Sequence, residues 1–205
     1  VSEKTKRDLI ENYRINPNKI EVAYLGVNKE IFKPIKKKPA ILDERKYLLY
    51  LGSEVPRKNI RNLLKAFKDI LIDYPNLILV KAGKSDGEKY RSDTKKIIKE
   101  LGLTKNVRII NKELKEEELP LYYSDAEAFV FPSFKEGFGM PLVEAMACGC
   151  PVVTSNIPPM NEIAKGQVLV NPYDYKDIAR GIRKVLRNKK KIVRLKRYSL
   201  IRSKY

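Results

Sequence analysis

The chain has 205 residues, which is long enough for one α/β domain with a sizeable core and short for two. Hydrophobic residues make up 43% of it and charged residues 33%, so the composition excludes a disordered chain, and no apolar run reaches the roughly 18–20 residues of a membrane-spanning helix. The net charge is +18, and eleven Lys or Arg with no acid lie between residues 183 and 204.

Short β-branched and aliphatic runs alternate along the chain with segments of helical period. The predicted strands are residues 20–24, 47–51, 77–81, 107–110, 128–131, 152–154 and 167–170. The predicted helices are residues 59–74, 89–101, 115–124, 140–148, 160–164 and 175–187. This alternation is typical of βαβ units, so we expect one Rossmann-like, three-layer α/β domain over residues 1–205 with a mostly parallel sheet.

The segments that follow the predicted strands are the candidates for a site, because ligands of such sheets bind outside the carboxyl ends of the strands. Residues 52–59 follow the strand at 47–51, and residues 132–139 follow the strand at 128–131. Both segments hold glycines, cations and carboxylates. The sequence therefore predicts a polar ligand at this edge of the sheet.

Gly137 and Gly139 precede a helix that begins at Met140 and has a proline in its first turn. Such a helix start binds anions through free backbone N–H groups, and a pyrophosphate would suit it. Arg57 and Lys58 could neutralise the same phosphates. A Gly-x-Gly segment before a helix is also a common tight connection without a ligand, so these residues alone leave the function open.

Glu136 lies in the loop after the 128–131 strand, and Glu144 lies near the start of the helix that follows. An acid near a helix N-terminus also complements the helix dipole, which is a purely structural role. Two carboxylates beside a phosphate site would repel the ligand unless they met hydroxyl groups. Phosphate-binding amides together with hydroxyl-binding carboxylates indicate a nucleotide sugar.

No metal and no cofactor beyond a sugar-donor substrate are expected. The sequence contains no histidine and no Asp-x-Asp triplet, and Cys148 and Cys150 are too few for a zinc site. The cations Arg57 and Lys58 would take the place of a metal ion at the diphosphate.

The run from Phe131 to Val153 resembles the signature of glycosyltransferase family 4, whose Glu-x7-Glu motif is matched by Glu136 and Glu144. Further resemblances lie at residues 25–28, 56–59, 162–163 and 170–172, so they cover nearly the whole chain. The resemblance implies a GT-B fold, in which two Rossmann-like domains face a cleft, with this chain as the C-terminal, donor-binding half. It also implies a retaining enzyme that transfers a hexose from a nucleoside-diphosphate sugar to a lipid-linked or polysaccharide acceptor.

The resemblance assigns roles to individual residues. It implies that Glu136 and Lys58 act in catalysis, with Glu136 on the sugar hydroxyls and Lys58 on the diphosphate, and that Glu144 binds the ribose. The remaining donor-binding residues would be Arg57, Gly137, Phe138, Gly139 and Met140. Two departures stand out: Ser53 replaces an arginine found in many relatives, and the base-binding segment after Ile110 is one residue longer than usual.

The two ends of the chain carry separate expectations. Residues 1–12 resemble the end of an N-terminal acceptor domain that is missing from the chain, without which we expect the isolated domain to be inactive. Residues 183–205 form a basic C-terminal segment, which is typical of a solvated face or of a surface for anionic membranes, and less so of a nucleic-acid site. The expected location is cytoplasmic, with peripheral binding to the membrane.

Two other functions stay open from the residues alone. One is a nucleotide-sugar epimerase of GT-B-like fold, although the absence of histidine makes it less attractive. The other is a basic nucleic-acid-binding module without catalysis, which rests on the charge alone.

Overall fold

The computed structural model describes residues 2–39, 42 and 45–187, and over these residues it contains one six-stranded sheet. The strands are β1 (Tyr47–Leu51), β2 (Ile78–Ala82), β3 (Val107–Ile110), β4 (Ala128–Phe131), β5 (Val152–Ser155) and β6 (Val168–Val170). Their order is β3-β2-β1-β4-β5-β6, and every neighbouring pair is parallel.

Seven α-helices and three short 3-10 helices accompany the strands within the described residues. The α-helices are α1 (Glu3–Tyr13), α2 (Ile60–Ile70), α3 (Glu88–Glu100), α4 (Leu119–Asp125), α5 (Met140–Ala147), α6 (Met160–Ile163) and α7 (Tyr175–Leu186). The 3-10 helices are Pro17–Lys19, Pro56–Lys58 and Glu116–Glu118.

Helices cover both faces of the sheet. Side chains alternate between the faces along each strand. Leu48 and Tyr50 of β1 pack against α2, α3 and α7, whereas Tyr47 and Leu49 belong to the core under α4, α5 and α6. The prediction of a three-layer, Rossmann-like α/β fold is therefore confirmed.

The strand order changes direction between β1 and β4, which lie side by side with Leu48 opposite Ala128. The connection after β1 leads to α2 on one face of the sheet, while the connection after β4 leads to α5 on the other face. The two loops therefore diverge and leave a crevice at the carboxyl ends of the strands, which is where open α/β sheets bind ligands.

The predicted strand at residues 20–24 is wrong. This segment has no β-ladder, and most of it is exposed to solvent. Alternating apolar residues give a strand only where a neighbouring strand completes its hydrogen bonds, and the sheet has no position for a seventh strand among the described residues.

The sequence did not predict helix α1. Ser2 caps it with a hydroxyl that accepts a hydrogen bond from the Thr5 N–H at 3.1 Å, and the helix buries none of its own residues. The Glu3 N–H donates to Glu162 Oε1 at 3.0 Å, which ties α1 to α6. The boundary of a missing domain at residues 1–12 stays a prediction, as does the basic segment 183–205, of which residues 188–205 lie outside the described residues.

Several other boundaries move by a few residues. Strand β2 begins one residue later than predicted, and β5 extends to Ser155. The predicted helix at 115–124 divides into the 3-10 turn Glu116–Glu118 and helix α4. The predicted helix at 59–74 is shorter, because residues 71–73 form a turn that leads the chain back towards β2.

Candidate active site

The loops after β1 and β4 are joined by backbone and side-chain hydrogen bonds. The Phe134 N–H donates to the Arg57 carbonyl at 2.8 Å. Asn59 is buried and has a left-handed backbone with φ of 58°, and its side-chain amide donates to the carbonyls of Pro132 and Pro172, each at 2.8 Å. One asparagine thus links the loops that follow β1, β4 and β6.

Lys58 and Glu136 meet across the crevice. Lys58 Nζ lies 2.8 Å from Glu136 Oε1, and only 13% and 9% of the two side chains are exposed. The same ammonium lies 4.7 Å from the centre of the Phe131 ring, a cation–π distance. Two residues predicted from separate loops therefore form one partly buried ion pair.

Arg57 reaches the same carboxylate from the solvent side. Its Nη1 lies 3.3 Å from Glu136 Oε2, and about half of the arginine side chain is exposed. At the position of Ser53, where the resemblance leads us to expect arginine, the backbone carbonyl accepts a hydrogen bond from Tyr50 Oη at 2.8 Å. The exposed cationic group at this edge of the crevice is therefore the guanidinium of Arg57.

The glycine segment forms the start of helix α5, as predicted. Gly139 has φ of +101° and precedes the first helical residue, Met140. A glycine in this place brings no side chain that could accept a hydrogen bond from the helix start. Pro141 has no N–H and the Leu142 N–H donates to the Gly139 carbonyl at 2.8 Å, which leaves the Met140 N–H for an anion. Gly137 borders open space, whereas Phe138 is buried.

Glu144 lies just over one turn into α5 and has a different environment from Glu136. Tyr123 Oη donates a hydrogen bond to Glu144 Oε2 at 2.9 Å. Burial raises the pKa of Glu144, and the hydrogen bond from Tyr123 opposes part of that shift. Its partner is a phenol and not a cation, so this carboxylate suits neutral hydroxyl groups better than phosphates.

A buried cluster of three charged residues lies beside the loop after β1, and the sequence did not predict it. Glu54 Oε1 lies 2.7 Å from Lys81 Nζ on β2 and 2.6 Å from Arg91 Nε on α3. All three side chains are nearly inaccessible to solvent. Burial lowers the pKa of Lys81, while Glu54 favours its charged form. The available signal was Lys81 itself, since a lysine within a buried strand needs a partner.

A cavity of about 800 Å³ opens beside this cluster at the carboxyl ends of β2 and β3. Its wall includes Ser85, Arg91 and Asn111, together with the backbone region after β3. Part of the base-binding segment expected after Ile110 therefore lies at a cavity next to the loops described above. Four of its lining residues are cations, namely Lys84, Arg91, Lys95 and Lys112.

The described residues contain neither a candidate metal site nor a candidate membrane-spanning helix. No group of three or more His, Cys, Asp or Glu side chains in that part of the chain could hold a metal ion. None of the helices found there has the length and apolar character needed to cross a membrane.

Comparison with known proteins places the chain among sugar-transferring enzymes. The family model described as "Glycosyl transferases group 1" matches residues 31–201. The O-antigen chain mannosyltransferase RfbU of Salmonella typhimurium is 36% identical over 186 residues, which are 90% of this chain and 49% of RfbU. The chain thus spans about half the length of that curated relative.

Solved structures agree with the fold. Sucrose-phosphate synthase from Thermosynechococcus elongatus superposes with a TM-score of 0.88 at 26% identity, over 100% of this chain and 52% of the synthase. HepE from Anabaena, solved in complex with UDP and glucose, has a TM-score of 0.85 at 18% identity over 98% of this chain and 56% of its own. In both, the matching part is about half of a longer protein.

Proposed function

The chain belongs to the glycosyl transferases group 1 family and has the GT-B type of Rossmann-like fold, and on that premise we propose that it is the donor-binding half of a retaining hexosyltransferase. The observation that carries the proposal is the Lys58–Glu136 ion pair beside the open start of helix α5. It lies in the crevice between β1 and β4, where this type of sheet binds nucleotides.

The donor diphosphate would lie at the start of α5. The Met140 N–H, Lys58 and Arg57 would surround its oxygens and stabilise the charge that develops when the diphosphate leaves. Lys58 would then exchange its partner, giving up Glu136 for a phosphate oxygen. Lys58, whose charge Glu136 neutralises in the unliganded crevice, would then be neutralised by the diphosphate of the substrate.

The same exchange would free Glu136 for the sugar. A carboxylate only accepts hydrogen bonds, so sugar hydroxyl groups are suitable donors to it. Glu144 would accept from the ribose hydroxyls, and the cavity beyond β2 and β3 would receive the base. Glu136 would thus orient the hexose, while the cations act on the departing diphosphate.

The transferred sugar is proposed from the relatives. RfbU is named as an O-antigen chain mannosyltransferase, and HepE was solved with UDP and glucose. We take mannose as the first hexose to test and a saccharide chain, free or lipid-linked, as the acceptor. The part of the relatives' length that this chain does not cover would bind that acceptor, so we expect these 205 residues alone to bind nucleotide without transferring sugar.

The other two functions are not favoured. The family model and RfbU both concern glycosyl transfer, which argues against an epimerase and against a nucleic-acid module without catalysis. The net charge of +18 is compatible with all three functions and so does not distinguish between them.

A ligand panel tests the proposal. Thermal unfolding of the chain with GDP-mannose, UDP-glucose, GDP, UDP and AMP should show a higher melting temperature with at least one nucleoside diphosphate or its sugar, because a ligand specific for the folded state stabilises it. Unchanged melting temperatures with every diphosphate, at millimolar concentrations, would contradict a donor site.

Substitution of Lys58 gives the sharper test. Lys58→Met should weaken binding of the stabilising nucleotide by about 10-fold to 100-fold, since hydrogen bonds to charged groups contribute about 1.5–3 kcal/mol. Lys65→Met on the exposed side of α2 is the matched control and should bind normally. Equal affinities for the two variants in calorimetric titration would remove Lys58 from the site.

A further inference from the structure

The buried cluster of Glu54, Lys81 and Arg91 lies next to the proposed site, and Arg91 also lines the cavity that we assign to the base. We propose that Glu54 is a positioning residue: through Lys81 and Arg91 it holds the loops after β1 and β2 in the arrangement that presents Lys58 to the donor diphosphate. This inference rests on the proposed function of the site.

Both cations of the cluster bridge the two loops. Glu54 belongs to the loop after β1, and its Oε1 is within 2.7 Å of Lys81 Nζ and 2.6 Å of Arg91 Nε. Lys81 Nζ also donates to the carbonyl of Gly83, in the loop after β2, at 2.7 Å, and Arg91 Nη2 donates to the same carbonyl at 3.3 Å. One carboxylate and one carbonyl from different loops therefore share the same two donors.

Gly83, Gly52 and the side chain of Lys58 lie close together. Gly83 has φ of +112°, and a Cβ added there would lie only 3.3 Å from the Gly52 carbonyl oxygen. Gly52 in turn borders the side chain of Lys58, since a Cβ added to Gly52 would lie 3.8 Å from Lys58 Cδ. The Gly52 N–H also donates to the Ala82 carbonyl at 3.0 Å, so closely spaced backbone leads from the loop after β2 to the stem of the lysine that we assign to the diphosphate.

Stability alone does not require such a cluster. Replacing a complete buried ion cluster with apolar side chains of similar volume is often neutral or stabilising, whereas removing one partner leaves an uncompensated charge and destabilises strongly. Folding stability and donor binding should therefore separate in a variant that removes all three charges together.

The decisive variant is Glu54→Leu/Lys81→Met/Arg91→Leu, and the probes are UDP and GDP with the corresponding monophosphates. We expect this triple variant to melt within a few degrees of the unchanged chain but to bind the preferred nucleoside diphosphate about tenfold more weakly, because a small displacement of a positioned group is costly. Affinity for the monophosphate should fall less. Lys96→Met/Glu100→Gln, which removes an exposed ion pair of α3, is the control and should bind as the unchanged chain does.

A double-mutant cycle with Lys58→Met distinguishes positioning from a general loss of positive charge. If the cluster acts by placing Lys58, Lys58→Met should weaken diphosphate binding strongly in the unchanged chain and little in the triple variant. Equal losses in both backgrounds, or unchanged diphosphate affinity of the triple variant, would overturn the inference.

Two further outcomes are also decisive. Should the triple variant not fold, Glu54→Asp takes its place in the same cycle, since it keeps the charge balance of the cluster and withdraws the carboxylate from Lys81 and Arg91 by one methylene. Should the unchanged chain bind neither UDP nor GDP, the proposed function fails together with the inference; when it binds one of them and Lys58→Met shows no coupling to the cluster, only the inference fails.

Discussion

Glu136 and Glu144 carry the same functional group in two different environments. Glu136 lies between two cations, with Lys58 Nζ at 2.8 Å and Arg57 Nη1 at 3.3 Å. Glu144 is mostly buried beside a phenol, and its pKa is raised by that burial. One carboxylate is paired with cations and the other is desolvated, so we expect that the two glutamates are not interchangeable even though one motif contains both.

Glu144 should lower the stability of the unliganded fold at neutral pH. Its pKa in the folded chain lies above the ordinary value of 4.5, so the folded state holds the proton more tightly than the unfolded state does. The stability that this provides is complete below the unfolded pKa and is lost as the pH rises through the folded pKa. Glu144→Gln cannot ionise, so we expect it to unfold at a higher urea concentration than the unchanged chain at pH 7.

The stabilisation by Glu144→Gln should shrink towards pH 4, where Glu144 is mostly protonated in both the folded and the unfolded state. The variant should also bind nucleotide more weakly than the unchanged chain. Urea midpoints at pH 7, 5.5 and 4 measure the trend. Exposed Glu117→Gln is the control and should show little change at any of these values. A lower urea midpoint for Glu144→Gln at pH 7 would show that burial is not what controls this carboxyl group.

Only some of the residues at the crevice could be predicted from the sequence. Lys58 and Glu136 were identified from their loops, and the structure brings them together. Glu54 and Arg91 were missed because the cluster joins a loop, a strand and a helix, and no spacing along the chain connects them. Lys81, in a buried strand, was the one local sign.

At the level of elements, the most accurate strand predictions are those for strands that have a neighbouring strand on each side or pack against the core. The runs at 47–51, 107–110 and 128–131 match β1, β3 and β4 residue for residue. The run at 20–24 has a similar composition but no partner strand, and it is exposed. Alternating apolar residues indicate that a segment can be half-buried, whereas the tertiary fold determines whether a neighbouring strand is present to pair with it.

Helix α7 shows the reverse situation, in which packing overrides helix propensity. Gly181 lies against the sheet, and a Cβ added there would come within 2.4 Å of Val170 Cγ1. Alanine favours a helix interior over glycine by about 1 kcal/mol, yet overpacking costs about 1–3 kcal/mol. We therefore expect Gly181→Ala to destabilise the chain and to lower its melting temperature by several degrees.

Gly26→Ala is the matched control, because nothing lies within 4 Å of a Cβ added at Gly26. Calorimetric melting of both variants should show a loss for Gly181→Ala alone. A melting temperature for Gly181→Ala at or above that of the unchanged chain would mean that α7 can move away from β6 without loss of packing.

On the scale of the whole molecule, the positive charge is concentrated near one end of the sequence. The eleven Lys or Arg between residues 183 and 204 account for most of the net charge of +18. Within this block, Arg183 is already neutralised, since its Nη1 lies 3.0 Å from Asp69 Oδ2 and its Nε pairs with Asp73. A surface function would therefore depend on the basic residues that follow α7.

We propose that this basic segment binds anionic membranes. The chain should float with vesicles that contain acidic lipid and should stay in solution with neutral vesicles, because each basic residue near such a surface adds about 1 kcal/mol of attraction. A chain that ends at residue 187 is the control and should lose most of this binding. Equal flotation with neutral and acidic vesicles would contradict an electrostatic origin, and so would flotation that 0.5 M salt leaves unchanged.

The pairing of β1 with β4 also joins two halves of the sheet that are far apart in the sequence. Strands β1, β2 and β3 are neighbours in sequence and in the sheet, and so are β4, β5 and β6, but Leu48 must find Ala128 across the whole intervening chain. Closing that loop costs more entropy than closing the shorter loops between the other paired strands, so we expect this contact to form late and the crevice to form with it. A nucleotide bound as we propose would fasten the two halves of the sheet at their seam, so amide hydrogen exchange in β1 and β4 should slow most when the donor binds.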